Sequence, residues 1–487
     1  MKAFQGLFLL CSLIAAIGVA YVSSLSPGHS FATDDFAAYV MHASNLAEGH
    51  PYTAIHYIAN PQVPWLAPSN GYPPVFPMML APVYKITGLN LRAFKILTVA
   101  CFVVFLCVLA VYLRQELSVA LIACVLLLIA CNPLFWDYRQ YVLSEFPYLM
   151  FSFGALLAMQ GTYAKLEQND LKLKPAVLLS VLLYSAYGVR TIGIALLAAL
   201  VLADIAKFRR PSRFLVVTVA LTLVLILAQS ILITSPSGYL SAFHFSPHMM
   251  LTNALYYSKT LSYVWQNGIS RKVQILFALL FTLLATVRFV ARLSREKSAR
   301  EFYLLAYMAI LIAWSAEIGL RGLLPVLPLY FVYGLEGLHR VGVWAGPSLR
   351  PAVLSSAMVL AALTYAGEFR KESTLPPEPD VMDRQAQELF SFLRSETEQS
   401  EVAIFAKPRT LALFTGRDTT LPFGEPVDGS AGFMRKVNAT IVVQSAWSPP
   451  SWELFLQANR DATKLFANSE YQVFRINWQG TAMRSSR

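Results

Sequence analysis

Runs of about 20 apolar residues recur along most of this chain, and only an architecture with many lipid-facing surfaces can house so many. At roughly 1.5 Å rise per residue, each such run can cross the apolar core of a bilayer as one helix. The segments 5–25, 93–113, 118–136, 141–163, 175–190, 191–208, 213–233, 273–291, 302–318, 321–338 and 350–367 read as spans, about eleven in all. Only Gly188-Val189-Arg190-Thr191 separates the fifth from the sixth. The first run follows Met1-Lys2, is long, and has no small-x-small cleavage pattern behind it. It reads as a retained anchor rather than a secretory signal.

Composition supports this class. Of 487 residues 56% are hydrophobic and only 14% charged, where a soluble domain carries roughly a quarter. Cys11, Cys101, Cys107, Cys124 and Cys131 all fall in apolar runs, with no disulfide framework and no CxxC spacing. No metal-ligand cluster is visible, so neither a metal nor a cofactor is expected.

The net charge of +11 explains itself once the basic residues are placed. With the N-terminus inside, the cytoplasmic loops hold Arg114; Lys165, Lys172 and Lys174; Lys207, Arg209, Arg210 and Arg213; Arg292, Arg295, Lys297 and Arg300; and Arg340 and Arg350. The opposite loops are longer, yet carry only the scattered Lys85, Arg92, Arg139, Lys259, Arg271 and Lys272. This is the positive-inside bias of a membrane protein, not a nucleic-acid footprint. An odd number of spans then places residues 372–487 outside the cytoplasm.

The expected fold is therefore a polytopic α-helical membrane protein with a small extracytoplasmic α/β domain at its C-terminus. Residues 1–371 form the membrane domain, with outer loops at 26–92 and 234–272, and residues 372–487 form the soluble domain. In the first loop, Phe36, Tyr39, Val40, Ala43 and Ala47 fall at helical spacing after Thr33-Asp34-Asp35, and Gly49 supplies a stop. This amphipathic helix is expected to lie along the membrane surface with its aromatic face down. A second helix is expected to open at Tyr72-Pro73-Pro74. After a break at 374–380, the tail reads as a helix near 381–396 and strands near 402–406, 439–444 and 471–477. It contains no nucleotide-binding glycine pattern.

Charged residues at membrane depth are costly and mark functional sites. Asp34 and Asp35 follow the first span, Glu145 opens the fourth, Arg190 ends the fifth and Arg321 opens the tenth. Hydropathy and basic loops alone put all of them at the outer face. Simpler roles exist for each. The two aspartates can cap the surface helix, worth about 0.3–1 kcal/mol, and the arginines can snorkel to headgroups. Tyr72, Trp65 and the other loop aromatics read as interfacial anchors. Glu145 has the weakest such alternative, because a carboxylate inside an apolar run costs about 2.5 kcal/mol or more.

These residues resemble a known family. Thr33-Asp34-Asp35, the helix ending at Gly49, and Tyr72-Pro73-Pro74 look like the GT-C glycosyltransferases, the protein O-mannosyltransferases and the lipid A aminoarabinose transferase group above all. Leu143-Ser144-Glu145-Phe146-Pro147 is similar to that family's acidic residue before a proline, and Arg321 through Pro328 to its late R-x-x-L-P-x-x-P helix. Lys407-Pro408-Arg409 and Thr415-Gly416-Arg417 resemble the outer domain of the bacterial members. Two positions depart from the pattern. The usual Asp-Glu is Asp-Asp here, and Tyr72 stands where some members carry a lysine near the donor phosphate.

The resemblance implies transfer of a sugar from a polyprenyl-phosphate donor to a lipid, glycan or protein acceptor at the outer face of a bacterial inner membrane. Asp34 would be the general base, with Asp35 and Glu145 orienting acceptor or base. Arg321 and then Arg190 would hold the donor phosphate, with Tyr72 beside it, and a single displacement would invert the anomeric carbon. A secondary transporter or flippase is the rival reading. It usually shows paired repeats and helices broken at the midplane, and neither is evident here. A lipid-binding scaffold is a further rival, but it has no need of a buried Glu145.

Overall fold

The computed structural model describes residues 2–60, 71–233, 246–268, 270–314, 317–421, 427–458 and 462–477. Trp65 lies outside them. The chain forms two compact units, one of residues 1–25, 95–232 and 243–376, the other of 26–94, 233–242 and 377–487. The segment read as the first outer loop belongs to the second unit, with the C-terminal tail.

The first unit is helical. Six helices in the described residues are long and apolar enough to cross a membrane: Gln5–Ser23, Leu91–Leu113, Thr191–Phe208, Arg213–Leu232, Arg271–Arg295 and Arg350–Glu372. Several expected spans are interrupted instead. The run at 118–136 divides into helices Val119–Ala130 and Pro133–Tyr138. Asn132 caps the second of these by accepting from the Leu134 amide at 3.0 Å, and Pro133 opens it without needing a donor. The run at 321–338 begins as a four-residue helix, Leu320–Leu323, followed by a tight turn at Leu324–Val326 and the long helix Leu327–Ala345. Pro325 and Pro328 sit at the openings of the last two, where a missing amide hydrogen costs nothing. An additional helix, Pro247–Ser262, lies in the stretch read as an outer loop.

Helix Leu327–Ala345 is the centre of this unit. Every residue from Leu327 to Gly337 is buried, as expected of a helix packed on all sides, and its neighbours include Arg271–Arg295, Arg350–Glu372 and Val119–Ala130. Two of the basic residues that indicated topology are also internal. Arg292 and Arg300 are buried and share Glu116, at 2.8 and 3.1 Å, and Arg292 also meets Glu336 at 2.9 Å.

The second unit is built on a five-stranded sheet. In chain order its strands are β1 (Ala403–Ile404), β2 (Thr419–Thr420), β3 (Ile441–Gln444), β4 (Thr463–Ala467) and β5 (Gln472–Arg475), arranged β2-β1-β3-β5-β4. β2, β1 and β3 run parallel, and β5 pairs antiparallel with both β3 and β4. Val402, Ile404, Val442, Trp452 and Ile476 form part of its core. The sequence reading located β1, β3 and β5 but not β2 and β4.

The first outer loop is stitched to this domain through main-chain bonds. Ile58 N donates to Thr419 O at 2.8 Å and Thr419 N to His56 O at 3.1 Å, which sets the loop along the β2 edge. A second seam joins Phe31 N to Pro379 O at 3.1 Å and Val381 N to His29 O at 3.0 Å. The loop contains the two expected helices, Asp35–Glu48, stopped by Gly49 in a left-handed conformation, and Val75–Thr87, opened by Pro74. The aromatic face of the first helix does not lie on a bilayer. Phe36 stacks on His29, and Tyr39 packs on Tyr72 and Phe76. Burial against these rings supplies the apolar partner that a lipid surface was expected to provide.

Candidate active site

The sequence-predicted residues gather into two clusters, one in each compact unit. In the membrane unit, Arg190 Nη1 and Arg321 Nε both donate to the same oxygen of Glu145. These arginines are 45 and 176 positions from Glu145 in the chain. The Glu145 side chain is 1% exposed, those of Arg190 and Arg321 16% and 26%, so the carboxylate is internal and both guanidinium groups reach the surface of the cluster.

Local structure explains the convergence. Glu145 is the first residue of helix Glu145–Tyr163, where a carboxylate faces the positive end of the helix dipole, and Pro147 fits the first turn. Arg190 is the extended residue after helix Leu173–Val189, and a tight turn at Thr191–Gly193 follows it. A Cβ at position 193 would lie 2.6 Å from backbone atoms of Ala186 and Tyr187, so the chain can double back this closely only over glycine. Arg321 sits in the short helix before the Pro325 and Pro328 turns.

In the outer unit, Asp34, Asp35 and Tyr72 meet around Arg409. Tyr72 Oη donates to Asp35 Oδ1 at 2.7 Å, and Arg409 Nη1 reaches Asp35 Oδ1 at 3.0 Å and Tyr72 Oη at 2.8 Å. The guanidinium also lies over the rings of Tyr57 and Tyr72, 4.9 and 5.2 Å from their centres. Arg409 is 4% exposed, and its Nη2 has no hydrogen-bond partner among the described residues. A buried cationic donor left over in this way suits an anionic oxygen.

Asp34 faces the start of helix Pro408–Thr415. Its Oδ1 accepts from Thr410 N and Thr410 Oγ1, both at 2.8 Å, and its Oδ2 accepts from Arg409 N at 3.1 Å. It thus caps a helix in the tail, not the loop helix whose start it precedes. Burial raises its carboxyl pKa above the ordinary value, and this outweighs the Arg409 charge and the Thr410 and Arg409 hydrogen bonds that pull it down.

His42 supports the cluster from behind. Its Nδ1 donates to Tyr52 O at 2.7 Å and its Nε2 accepts from Tyr72 N at 3.4 Å. Burial lowers its pKa to about 4, so the ring stays neutral and holds this tautomer. The Tyr57 hydroxyl is pushed up to about 12, chiefly by burial. Arg409 appeared in sequence only as part of a short motif, and Thr410, His42 and Tyr57 carried no signal. Among the described residues, no group of three or more His, Cys, Asp or Glu gathers as metal ligands.

No protein-family model and no curated protein matches the sequence. Solved structures do match its fold. ArnT from Cupriavidus metallidurans, solved bound to undecaprenyl phosphate, superposes with a TM-score of 0.61 at 11% identity, over 96% of this chain and 97% of ArnT. The archaeal oligosaccharyltransferase AglB from Archaeoglobus fulgidus, solved with an inhibitory peptide and a dolichol-phosphate, gives 0.62 at 13% identity, over 99% of this chain and 75% of its own. The chain carries the fold of the GT-C glycosyltransferases, from near its first residue to near its last.

Proposed function

We propose that this protein is a membrane glycosyltransferase that moves a sugar from a polyprenyl-phosphate donor to an acceptor hydroxyl on the extracytoplasmic side. The observation that carries this reading is the meeting of Arg190 and Arg321 on one buried oxygen of Glu145, in a fold whose solved examples hold undecaprenyl phosphate and a dolichol-phosphate. A shared carboxylate holds two guanidinium groups in place for a phosphate without a change in geometry when it arrives.

The chemistry is a single displacement. The acceptor oxygen bonds to the anomeric carbon as the bond from that carbon to the phosphate oxygen breaks, and the configuration inverts. The acceptor proton passes to Asp34, whose raised pKa makes it a better base than an ordinary aspartate. Among the described residues Asp34 Oδ2 accepts only the Arg409 amide, so it is the oxygen with room for that proton. The polyprenyl phosphate leaves as an anion and needs charge neutralisation rather than a proton. Arg321 and Arg190 provide it. A donor that arrives within the bilayer explains the lack of a nucleotide-binding pattern. The membrane is a bacterial inner membrane, with the N-terminus cytoplasmic.

The test is sugar transfer by the purified full chain with a panel of polyprenyl-phosphate sugars and candidate lipid, glycan and peptide acceptors. Release of polyprenyl phosphate that requires an acceptor, and that is lost in Asp34→Asn and Arg321→Ala, supports the assignment. A donor carried across proteoliposomes with its sugar–phosphate bond intact would make the protein a transporter instead.

A further inference from the structure

At the opposite end of helix Ile194–Phe208 from Arg190, the membrane unit has a groove of about 610 Å³ that the proposed reaction does not use. This lies within the roughly 300–1,000 Å³ of sites that hold small molecules. Its walls include Leu202, Ile205 and Leu305, which are 44%, 40% and 43% exposed, together with Phe302. Arg209 and Lys297 also line it.

The backbone at these two cations is unusual. Among the described residues only three that are not glycine have a positive φ, and two of them are Arg209 at 65° and Lys297 at 47°. Each follows a helix that can span a membrane, Thr191–Phe208 and Arg271–Arg295. Glycine is the usual residue just past a helix end, because a side chain strains a left-handed backbone. A long cation kept in that conformation at both ends points to a use for the side chains.

Their surroundings leave both charges available. Neighbouring Lys207 is engaged by the carbonyls of Tyr163 and Leu166, and Arg210 by Gln168. Neither Arg209 nor Lys297 has such a bond among the described residues. The nearby acids do not neutralise them. Asp204 is fully buried on Tyr163 and Ser212, and Glu296 is paired with Arg292.

We propose that this groove is a binding site for an anionic phospholipid, with its phosphate between Arg209 and Lys297 and an acyl chain along Leu202, Ile205 and Leu305. The combination of exposed apolar wall and paired cations at the ends of two candidate spans suits a lipid rather than a soluble anion. Both cations belong to the loops read as cytoplasmic, so the site would draw from the inner leaflet.

The experiment is native mass spectrometry of the full-length protein in detergent containing equal amounts of phosphatidylglycerol and phosphatidylcholine. The wild type is expected to retain phosphatidylglycerol by roughly tenfold over phosphatidylcholine, the scale of one or two charge contacts at a lipid surface. The double variant Arg209→Gly, Lys297→Gly suits the left-handed backbone and so keeps the fold, and it should bind the two lipids equally. No preference in the wild type, or an undiminished preference in the double variant, overturns the proposal. Displacement of phosphatidylglycerol by an equal concentration of glycerol phosphate would also overturn it, because the site would then read phosphate alone.

Discussion

Asp35 and Arg409 lie 374 positions apart and form a 3.0 Å ion pair, with the Tyr72 hydroxyl bonded to both. One residue comes from a loop helix and the other from the first turn of a tail helix, so this pair holds two distant segments of the outer unit in one geometry. The arginine serves Asp35 and Tyr72 through Nη1 and keeps Nη2 in reserve. A lysine cannot reproduce that fork. Arg409→Lys should lower kcat/KM by roughly 100-fold while the protein stays folded, as read by donor turnover. Arg409→Ala should in addition destabilise the outer unit by roughly 3 kcal/mol, because Asp35 loses its cation.

Asp34 supports a prediction in which activity and stability part. Its pKa is raised in the folded protein, so its contribution to stability is full below the unfolded pKa and is lost as pH rises through the folded one. The ionised form, which a base must adopt, therefore carries a stability cost in the folded protein. Asp34→Asn should abolish transfer yet leave thermal stability equal or higher, since asparagine still caps a helix. The acid limb of kcat/KM should lie above the ordinary aspartate range. Thr410→Val, which removes one hydrogen bond to Asp34, should move that limb further up.

Glu145 separates charge from shape. Glu145→Gln keeps the side chain's size but removes the charge shared by Arg190 and Arg321, and transfer should drop by roughly 100-fold. Glu145→Ala leaves two guanidinium groups without their carboxylate and should destabilise the membrane unit by roughly 3–5 kcal/mol. Denaturation in mild detergent, followed by intrinsic fluorescence, distinguishes the two outcomes. Arg321→Ala should raise the donor KM by roughly tenfold, and more than Arg190→Ala does.

Gly193 tests positioning without touching charge. Adding one methyl at this position sets it against the Ala186 and Tyr187 backbone, which cannot yield as a side chain would. Gly193→Ala should shift Arg190 off Glu145 and raise donor KM more than it lowers kcat. A measured KM equal to that of the wild type would show that Arg190 does not depend on this turn.

His42 gives the outer unit a pH-dependent component. Its pKa falls from 6.5 to about 4 on folding, so the unfolded chain binds the extra proton across that interval. Stability should be full above about pH 6.5 and decline as pH falls toward 4, by about 3 kcal/mol in total. His42→Gln can still donate to Tyr52 O and accept from Tyr72 N, and it should flatten the slope. Thermal melts between pH 4 and 7 make the comparison.

Much of the architecture could be read in advance because charge in an apolar run is conspicuous. Glu145, Arg190 and Arg321 stood out individually on that ground, and the structure brings them to one oxygen. The loop helix was legible from its period and from Gly49, but its partner was not, because period reveals an apolar face and not what covers it. Arg409 and Thr410 act through residues more than 330 positions away, a relation no local pattern contains. β2 is two residues long, too short to show alternation, and the buried His42 has the same composition as an exposed one. The helical turn at Arg321 was merged with the span after it because prolines at helix openings interrupt neither hydropathy nor charge.

The two seams between the first outer loop and the tail have a consequence for biosynthesis. The loop emerges after the first candidate span and its β2 edge near the end, so Asp34 and Asp35 wait while every later candidate span is made before Arg409 arrives. A ribosome that stops short of residue 409 leaves a chain with its acids exposed and its outer cluster unmade. The cluster of Asp34, Asp35, Tyr72 and Arg409 is thus completed late and as one event, after the segments between its two halves have been made.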